Sequence, residues 1–150
     1  VIASVQPRHI TLDPGGPERD LGPERVPYMW PFRTLLDSGA TLAFGTDSPV
    51  TDIDPIDAVY TAVTRRDADT HEPLGGWLPE ERITLAEALR AYTAGSAAAA
   101  QRADELGQLA PGMFADIVVL DPNPFELAPD DLQQAKVQAT YVAGKKVYER

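Results

Sequence analysis

Short apolar runs alternate with a helical segment in the first part of the chain. The runs lie at residues 2–6 and 41–45, and the second carries almost no polar side chain, as expected for a strand buried on both faces. Between them, Pro31 in a first helical turn and Gly39 at a helix end predict a short helix. Strand, helix and strand in this order predict a parallel pair with a right-handed crossover.

Two further helices are predicted from the spacing of apolar side chains. In residues 55–66 the apolar side chains fall on one face of a helix, and Asp54 precedes this segment as a capping residue. The second helix begins with a Thr-x-x-Glu capping box at residue 84 and is expected to end before Gly95. The Pro- and Gly-rich residues 7–27 and the polar residues 65–82 are predicted to be loops.

The pattern changes to that of strands after residue 107. Residues 117–120 form a continuous β-rich run, and residues 137–149 predict two strands that turn at Ala143 and Gly144. The stretch between them, residues 121–135, is predicted to be a linker with one helical turn. The chain is therefore predicted to consist of two unlike halves, the first α/β and the second antiparallel β.

Composition excludes several classes of partner. The 150 residues carry a net charge of −10, which repels nucleic acid and anionic lipid. No apolar run approaches the roughly 20 residues that span a bilayer. The absence of cysteine fits a reducing compartment, and we predict a cytoplasmic location. Neither nucleic acid nor a membrane is expected as a partner.

Three motifs resemble one known family. They are QPRH at residues 6–9, FGTDSPV at residues 44–50 and GQLAPGMFADIVVLD at residues 107–121. Together they resemble the amidohydrolase superfamily, in particular the branch that includes N-substituted formamide deformylases. The third motif indicates the superfamily, and the first two indicate the branch.

The resemblance implies a metal-dependent hydrolase built on a (β/α)₈ barrel with a small β-sandwich. Residues 1–106 would supply the last two barrel strands and their helices, and residues 107–150 would supply the C-terminal strands of the sandwich. Because the chain opens on Val1 directly within a predicted strand, we expect it to be the C-terminal part of a longer protein.

Asp47 is the candidate catalytic residue. The resemblance implies that it contacts the metal and acts as the proton shuttle. Elementary chemistry supports this role, because a carboxylate at the carboxyl end of a barrel strand lies on the catalytic face, and a cation would compensate its burial. The alternative is an ordinary turn in which the Asp47 oxygens accept backbone N–H bonds.

Three neighbouring residues are candidates for substrate binding. His9 and Gln6 belong to the QPRH motif, and His9 could line the substrate pocket or lie on the plain surface. Ser48 follows Asp47 and either contacts substrate or only shapes the turn.

The implied cofactor is a divalent metal, Zn²⁺, with one or two ions in the whole protein. A catalytic zinc site needs about three protein ligands, whereas this chain has two histidines and no cysteine. We therefore expect the chain alone to lack most ligands and to be inactive. Its expected partners are a small-molecule amide-type substrate and, through exposed strand edges, the remainder of the parent chain or copies of itself.

Two other functions remain open from the sequence. One is a non-catalytic binding or assembly module derived from a hydrolase, for which Asp47 would be dispensable. The other is a deaminase of the same superfamily.

Overall fold

Two parallel strands, β1 (Ile2–Val5) and β2 (Thr41–Phe44), form the first sheet in the computed structural model, which describes residues 1–150. Their register pairs Ile2 with Thr41 and Val5 with Phe44, so the carboxyl ends of both strands lie at the same edge. The parallel pairing predicted from the sequence is confirmed. The last three residues of β2 are buried because helices cover the sheet.

The segment predicted to be a long loop contains three short helical turns. They are a 3₁₀ helix at Pro7–Thr11, the helix α1 (Gly16–Leu21) and a second 3₁₀ helix at Val26–Tyr28. The prediction of a structureless loop is therefore wrong. Each turn has proline at its first or second position, where the missing N–H is not needed and the fixed φ favours helix.

Helices α2 (Phe32–Asp37) and α3 (Pro55–Thr64) follow the predicted pattern. The Asp54 side chain caps α3 by accepting the Ile56 N–H at 2.9 Å. Helix α3 ends at Thr64 and is capped by Arg65, which adopts a left-handed φ of 60°.

Helix α4 (Leu85–Arg90) begins with the predicted capping box, in which Thr84 and Glu87 each accept a backbone N–H of the other. The helical path then continues through a π-helical segment, Ala91–Gly95, into α5 (Ser96–Ala99). The prediction that Gly95 ends the helix is wrong. Gly95 instead lacks a Cβ where the helix approaches the Leu42 carbonyl of β2.

The second sheet is antiparallel and contains the remaining three strands. They are β3 (Ile117–Asp121), β4 (Lys136–Val142) and β5 (Lys145–Glu149), in the spatial order β3, β4, β5. The turn between the last two strands falls at Ala143 and Gly144, as predicted. The linker before β4 contains two 3₁₀ helices, Pro124–Glu126 and Pro129–Gln134, rather than one turn.

The main core lies between the first sheet and the helices around it. Its buried members are Ile10, Phe32, Leu42, Phe44, Val59, Ala62, Ile83, Ala88 and Ala91. A smaller cluster of Tyr60, Ala68 and Leu132 joins α3 to the linker that precedes β4. No helix in the chain is both long and apolar enough to cross a bilayer.

Candidate active site

Asp47 lies three residues beyond the end of β2, at the edge where both parallel strands end. Its φ of 56° is left-handed, a conformation that aspartate tolerates better than most residues. No backbone amide donates to its carboxylate, although its carbonyl oxygen accepts the Val50 N–H at 2.8 Å. The side chain is 56% exposed, so the expectation that Asp47 is buried is wrong for this chain.

His9 lies opposite Asp47, on the 3₁₀ helix that follows β1. Its Nε2 atom is 3.7 Å from Oδ2 of Asp47, and its side chain is 21% exposed. Nε2 is shielded from solvent and has no hydrogen-bond partner. The separation is too long for a direct hydrogen bond, so neither atom has a hydrogen-bond partner within the protein.

The side chains of the two other candidates, Gln6 and Ser48, make no hydrogen bond to this pair. Gln6 is half-buried directly after β1, and its carbonyl oxygen accepts the His9 N–H at 3.2 Å. Ser48 is exposed, and its hydroxyl makes no hydrogen bond within the protein. Both residues lie at the carboxyl edge of the first sheet.

The site has donor atoms of the types that bind a divalent cation, but fewer of them than a metal site needs. A carboxylate oxygen and an unpartnered imidazole nitrogen are both donors that Zn²⁺ accepts. No group of three or more His, Cys, Asp or Glu side chains is spaced to hold a metal ion. Asp47 and His9 alone are therefore too few donors for a catalytic zinc site, which needs about three protein ligands.

A cavity of about 400 Å³ begins beside His9, where Ile10 and Thr11 form part of its wall. Trp77 also lines it, and the Trp77 indole N–H donates to Glu18 at 2.7 Å. None of the four candidate residues is among the residues that line this cavity. The cavity is of the size that small-molecule sites have in proteins.

Arg65 is the most deeply buried charge near these loops. Its guanidinium donates to the carbonyl oxygens of Trp77 and Trp30, each at 2.9 Å. Burial lowers the pKa of Arg65 to about 10, and the charges of Glu81 and Glu80 oppose this shift. Arg65 thereby links the segments that carry the two tryptophans, whose rings meet edge to face at 6.0 Å.

Tyr92 is a buried polar group that the sequence pattern did not reveal as special. Its ring packs edge to face on Phe44 at 5.6 Å, and its hydroxyl has no hydrogen-bond partner. Burial raises the pKa of Tyr92, and the negative charge of Asp54 adds to the rise. The sequence showed only that this tyrosine lies on the apolar face of its helix.

The fold and the site define an α/β protein that presents an acid and an imidazole at the carboxyl edge of a parallel strand pair. The chain belongs to the amidohydrolase family, whose family model matches residues 1–148.

Three relatives illustrate the range of similar proteins. The protein LONG AFTER FAR-RED 3 of Arabidopsis thaliana is 41% identical over 99% of this chain and 25% of the relative. The N-substituted formamide deformylase of Arthrobacter pascens is 36% identical over 81% of this chain and 22% of the relative. The 5-methylthioadenosine/S-adenosylhomocysteine deaminase of Pelotomaculum thermopropionicum is 34% identical over 80% of this chain and 28% of the relative.

The fold also matches a solved structure. An uncharacterised metal-dependent hydrolase from Pyrococcus horikoshii superposes with a TM-score of 0.74 at 35% identity, over 86% of this chain and 26% of that chain. The present chain thus spans only 22–28% of the length of these relatives.

Proposed function

We propose that this chain is the C-terminal part of a metal-dependent amidohydrolase that hydrolyses a non-peptide C–N bond of a small amide or formamide. Residues 1–106 would supply the last strands and helices of a (β/α)₈ barrel, and residues 107–150 would supply strands of a β-sandwich. The observation that supports this proposal most directly is the Asp47 carboxylate, unbonded to its own turn and 3.7 Å from His9 Nε2 at the carboxyl edge of β1 and β2.

In this proposal Asp47 moves the proton. A bound divalent metal, one or two Zn²⁺ ions, would supply Lewis acidity toward water and toward the substrate carbonyl. The Asp47 carboxylate would accept the proton of the attacking water and then deliver it to the departing nitrogen. Asp47 would also be a metal ligand, and the remaining ligands would come from outside residues 1–150.

The other candidate residues would bind and orient the substrate. His9 Nε2 is an unpartnered polar atom beside the proposed proton shuttle, so it can hydrogen-bond to a substrate group bound there. Gln6 and Ser48 lie at the same edge and would contact the substrate from either side of this pair. With these groups alone, residues 1–150 are expected to be inactive.

The test is an Asp47→Asn substitution in the full-length protein that contains these residues. With formanilide as substrate and zinc present, we expect the unmodified protein to release formate. In the Asp47→Asn variant kcat should be lower by about 10²–10⁴-fold, because a general acid–base group contributes this much. Zinc content, measured by elemental analysis, should also fall. The circular dichroism spectrum should stay unchanged, since the side chain makes no bond within its turn.

The matched control is Asp52→Asn, because Asp52 is an exposed acid of the same loop. Its activity should stay within about twofold of the unmodified protein, as for surface substitutions away from a site. Undiminished formate release by the Asp47 variant would refute the proton-shuttle role. Absence of formate release by both the unmodified protein and the variant would instead favour the non-catalytic module, for which Asp47 is dispensable.

A deaminase is the second candidate, and the similarity to the Pelotomaculum deaminase favours it. The same acid would then deliver its proton to an amino group that leaves as ammonia. Incubation of the full-length protein with 5-methylthioadenosine distinguishes the two reactions, because a deaminase releases ammonia from this compound and a formamide hydrolase does not.

A further inference from the structure

Arg8, the residue that precedes His9, is fixed by two carboxylates from a distant part of the chain. Its Nη1 lies 3.2 Å from Oδ2 of Asp67, and its Nη2 lies 3.0 Å from Oδ2 of Asp69. The side chains of Arg8 and Asp67 are 13% and 19% exposed, whereas Asp69 is 75% exposed. Because shielded charges are screened less than exposed ones, Asp67 is the stronger of the two anchors.

Asp67 is itself held rigidly. Its Oδ1 accepts the N–H of Asp69 at 3.1 Å, the N–H of Thr70 at 2.9 Å and the Thr70 hydroxyl at 3.1 Å. Burial disfavours the ionised carboxylate, but the hydrogen bonds from the Thr70 and Asp69 backbone and from the Thr70 hydroxyl outweigh burial and lower the pKa of Asp67. The side chain is therefore a fixed negative charge whose second oxygen faces Arg8.

The position of Asp67 in the fold connects the two loops of the candidate site. Asp67 lies three residues after α3 ends at Thr64, and the loop that carries Asp47 leads into the start of the same helix. Arg8 and Thr11 both lie on the 3₁₀ helix of His9; Arg8 pairs with Asp67, and the Thr11 hydroxyl donates to the Arg8 carbonyl at 3.3 Å. Helix α3 thus connects the loop that carries Asp47 with the segment that holds the short helix of His9.

We propose that the ion pair between Arg8 and Asp67 positions His9 against Asp47. His9 Nε2 has no hydrogen bond that could orient it, so its placement depends on the short helix on which it stands. Arg8 and Asp67 are positioning residues, since both act through His9. The placement of His9 does not depend on the proposed function, whereas the expected effect of Arg8 on the rate of hydrolysis does.

Nuclear magnetic resonance of the histidine rings tests this placement without any substrate. The ring signals of His9 and His71 are assigned in the full-length protein by single substitution of each residue. In the unmodified protein we expect a nuclear Overhauser contact between the His9 ring and the Asp47 side chain. Arg8→Gln should abolish this contact and shift the His9 signals, whereas Arg8→Lys, which keeps a charge toward Asp67, should retain part of it.

Asp69→Asn is the matched control, because it removes only the exposed partner of Arg8. Its His9 signals and Overhauser contact should be unchanged. His71 reports on the turn of Asp67, since its N–H bonds to the Asp67 carbonyl, and unchanged His71 signals in Arg8→Gln would show that this turn is intact. If the Arg8→Gln protein does not fold, Asp67→Asn is measured instead, with the same loss expected.

A retained His9–Asp47 contact in the Arg8→Gln variant would overturn the proposal, as would an equal loss in Asp69→Asn. In the full-length protein, formanilide hydrolysis should lose on the order of tenfold in kcat on Arg8→Gln, with KM little changed. If the unmodified protein hydrolyses formanilide and the Arg8→Gln variant has the same kcat, the positioning role is refuted and the hydrolase proposal stands. Loss of the ring contact in a protein without hydrolase activity would support positioning and refute hydrolysis.

Discussion

At the scale of single residues, buried titratable side chains determine how the stability of the protein depends on pH. Arg65 and Tyr92 both lose contact with solvent on folding, and burial favours the neutral form of each side chain. Burial therefore lowers the pKa of Arg65 and raises the pKa of Tyr92. The two shifts act on stability in opposite directions, because one group is a base and the other an acid. Their effects can be separated by substitution.

Tyr92 should make the protein less stable in alkali. The pKa of the folded-state phenol is raised above its ordinary value of about 10, so between these two values the unfolded chain loses a proton that the folded chain keeps. The contribution of Tyr92 to the free energy of unfolding should therefore fall as the pH rises above about 10, by at most about 1.4 kcal/mol per pH unit. Urea unfolding at a series of pH values measures this slope.

Tyr92→Phe is the control for that measurement. It removes the phenol and leaves Arg65, whose pKa of about 10 should make stability rise with pH in the same alkaline range. The difference between the two proteins isolates the contribution of Tyr92. Identical slopes for both would contradict the prediction.

The candidate site shows which residues a sequence can reveal. Asp47 and His9 belong to recognisable motifs, and the structure brings their side chains within 3.7 Å. Asp67 was not identified, because an ion pair between residues 59 positions apart leaves no local pattern. An Asp followed by Thr three residues later does indicate a local turn, and this was the only available signal for it.

At the scale of elements, the close approach of the π-helical segment to β2 decides how the helices cover the sheet. Ser96, just after this segment, donates its hydroxyl to the Phe44 carbonyl at 2.8 Å. A Cβ at Gly95 would overlap the Leu42 carbonyl oxygen. The helix and the strand are therefore in backbone contact.

Gly95→Ala should destabilise the protein despite the better helix propensity of alanine. The added methyl group meets backbone that cannot move aside, and overpacking of this kind costs about 1–3 kcal/mol, against a gain of up to about 1 kcal/mol. Urea unfolding gives the change in the free energy of unfolding. Gly75→Ala is the control, because no atom lies within 4 Å of its added Cβ, and its effect should stay within about 0.5 kcal/mol.

The elements themselves were largely predictable, and the exceptions have physical causes. The caps at Asp54 and Thr84 are local chemistry, so the starts of α3 and α4 were correct. Gly95 looks like a helix breaker by propensity, and only the distant strand explains why it stands within a continuous helix. The turns within residues 7–27 were missed because prolines mark loops and helix starts alike.

At the scale of the whole molecule, the two sheets leave much of their surface uncovered. β1 has a neighbour on one side only, and the three-stranded sheet exposes several large apolar side chains: Val118, Val119, Val142, Val147 and Tyr148. Unpaired strand edges and apolar surfaces of this kind favour association with other chains. The change of pattern at residue 107 predicted the switch from parallel to antiparallel strands, but no sequence pattern shows which surfaces remain open.

Residues 1–150 expressed alone should therefore self-associate. Sedimentation velocity should show species heavier than the 16.2 kDa monomer, with the fraction increasing with protein concentration. A monomer that persists at high concentration and unfolds cooperatively would contradict this expectation. Lys substitution of Val118 and Val147, both exposed, should shift the distribution toward monomer.

The linker before β4 is fastened to α3 by side-chain contacts. Gln133 donates to the Asp57 carboxylate at 2.8 Å and to the Ala68 carbonyl at 2.9 Å, and Arg66 bonds to Asp130. Residues 108–112, by contrast, are exposed. A protease that cuts there would sever the peptide chain without releasing either piece, so the nicked protein would elute as a single particle until denaturant separates the two halves.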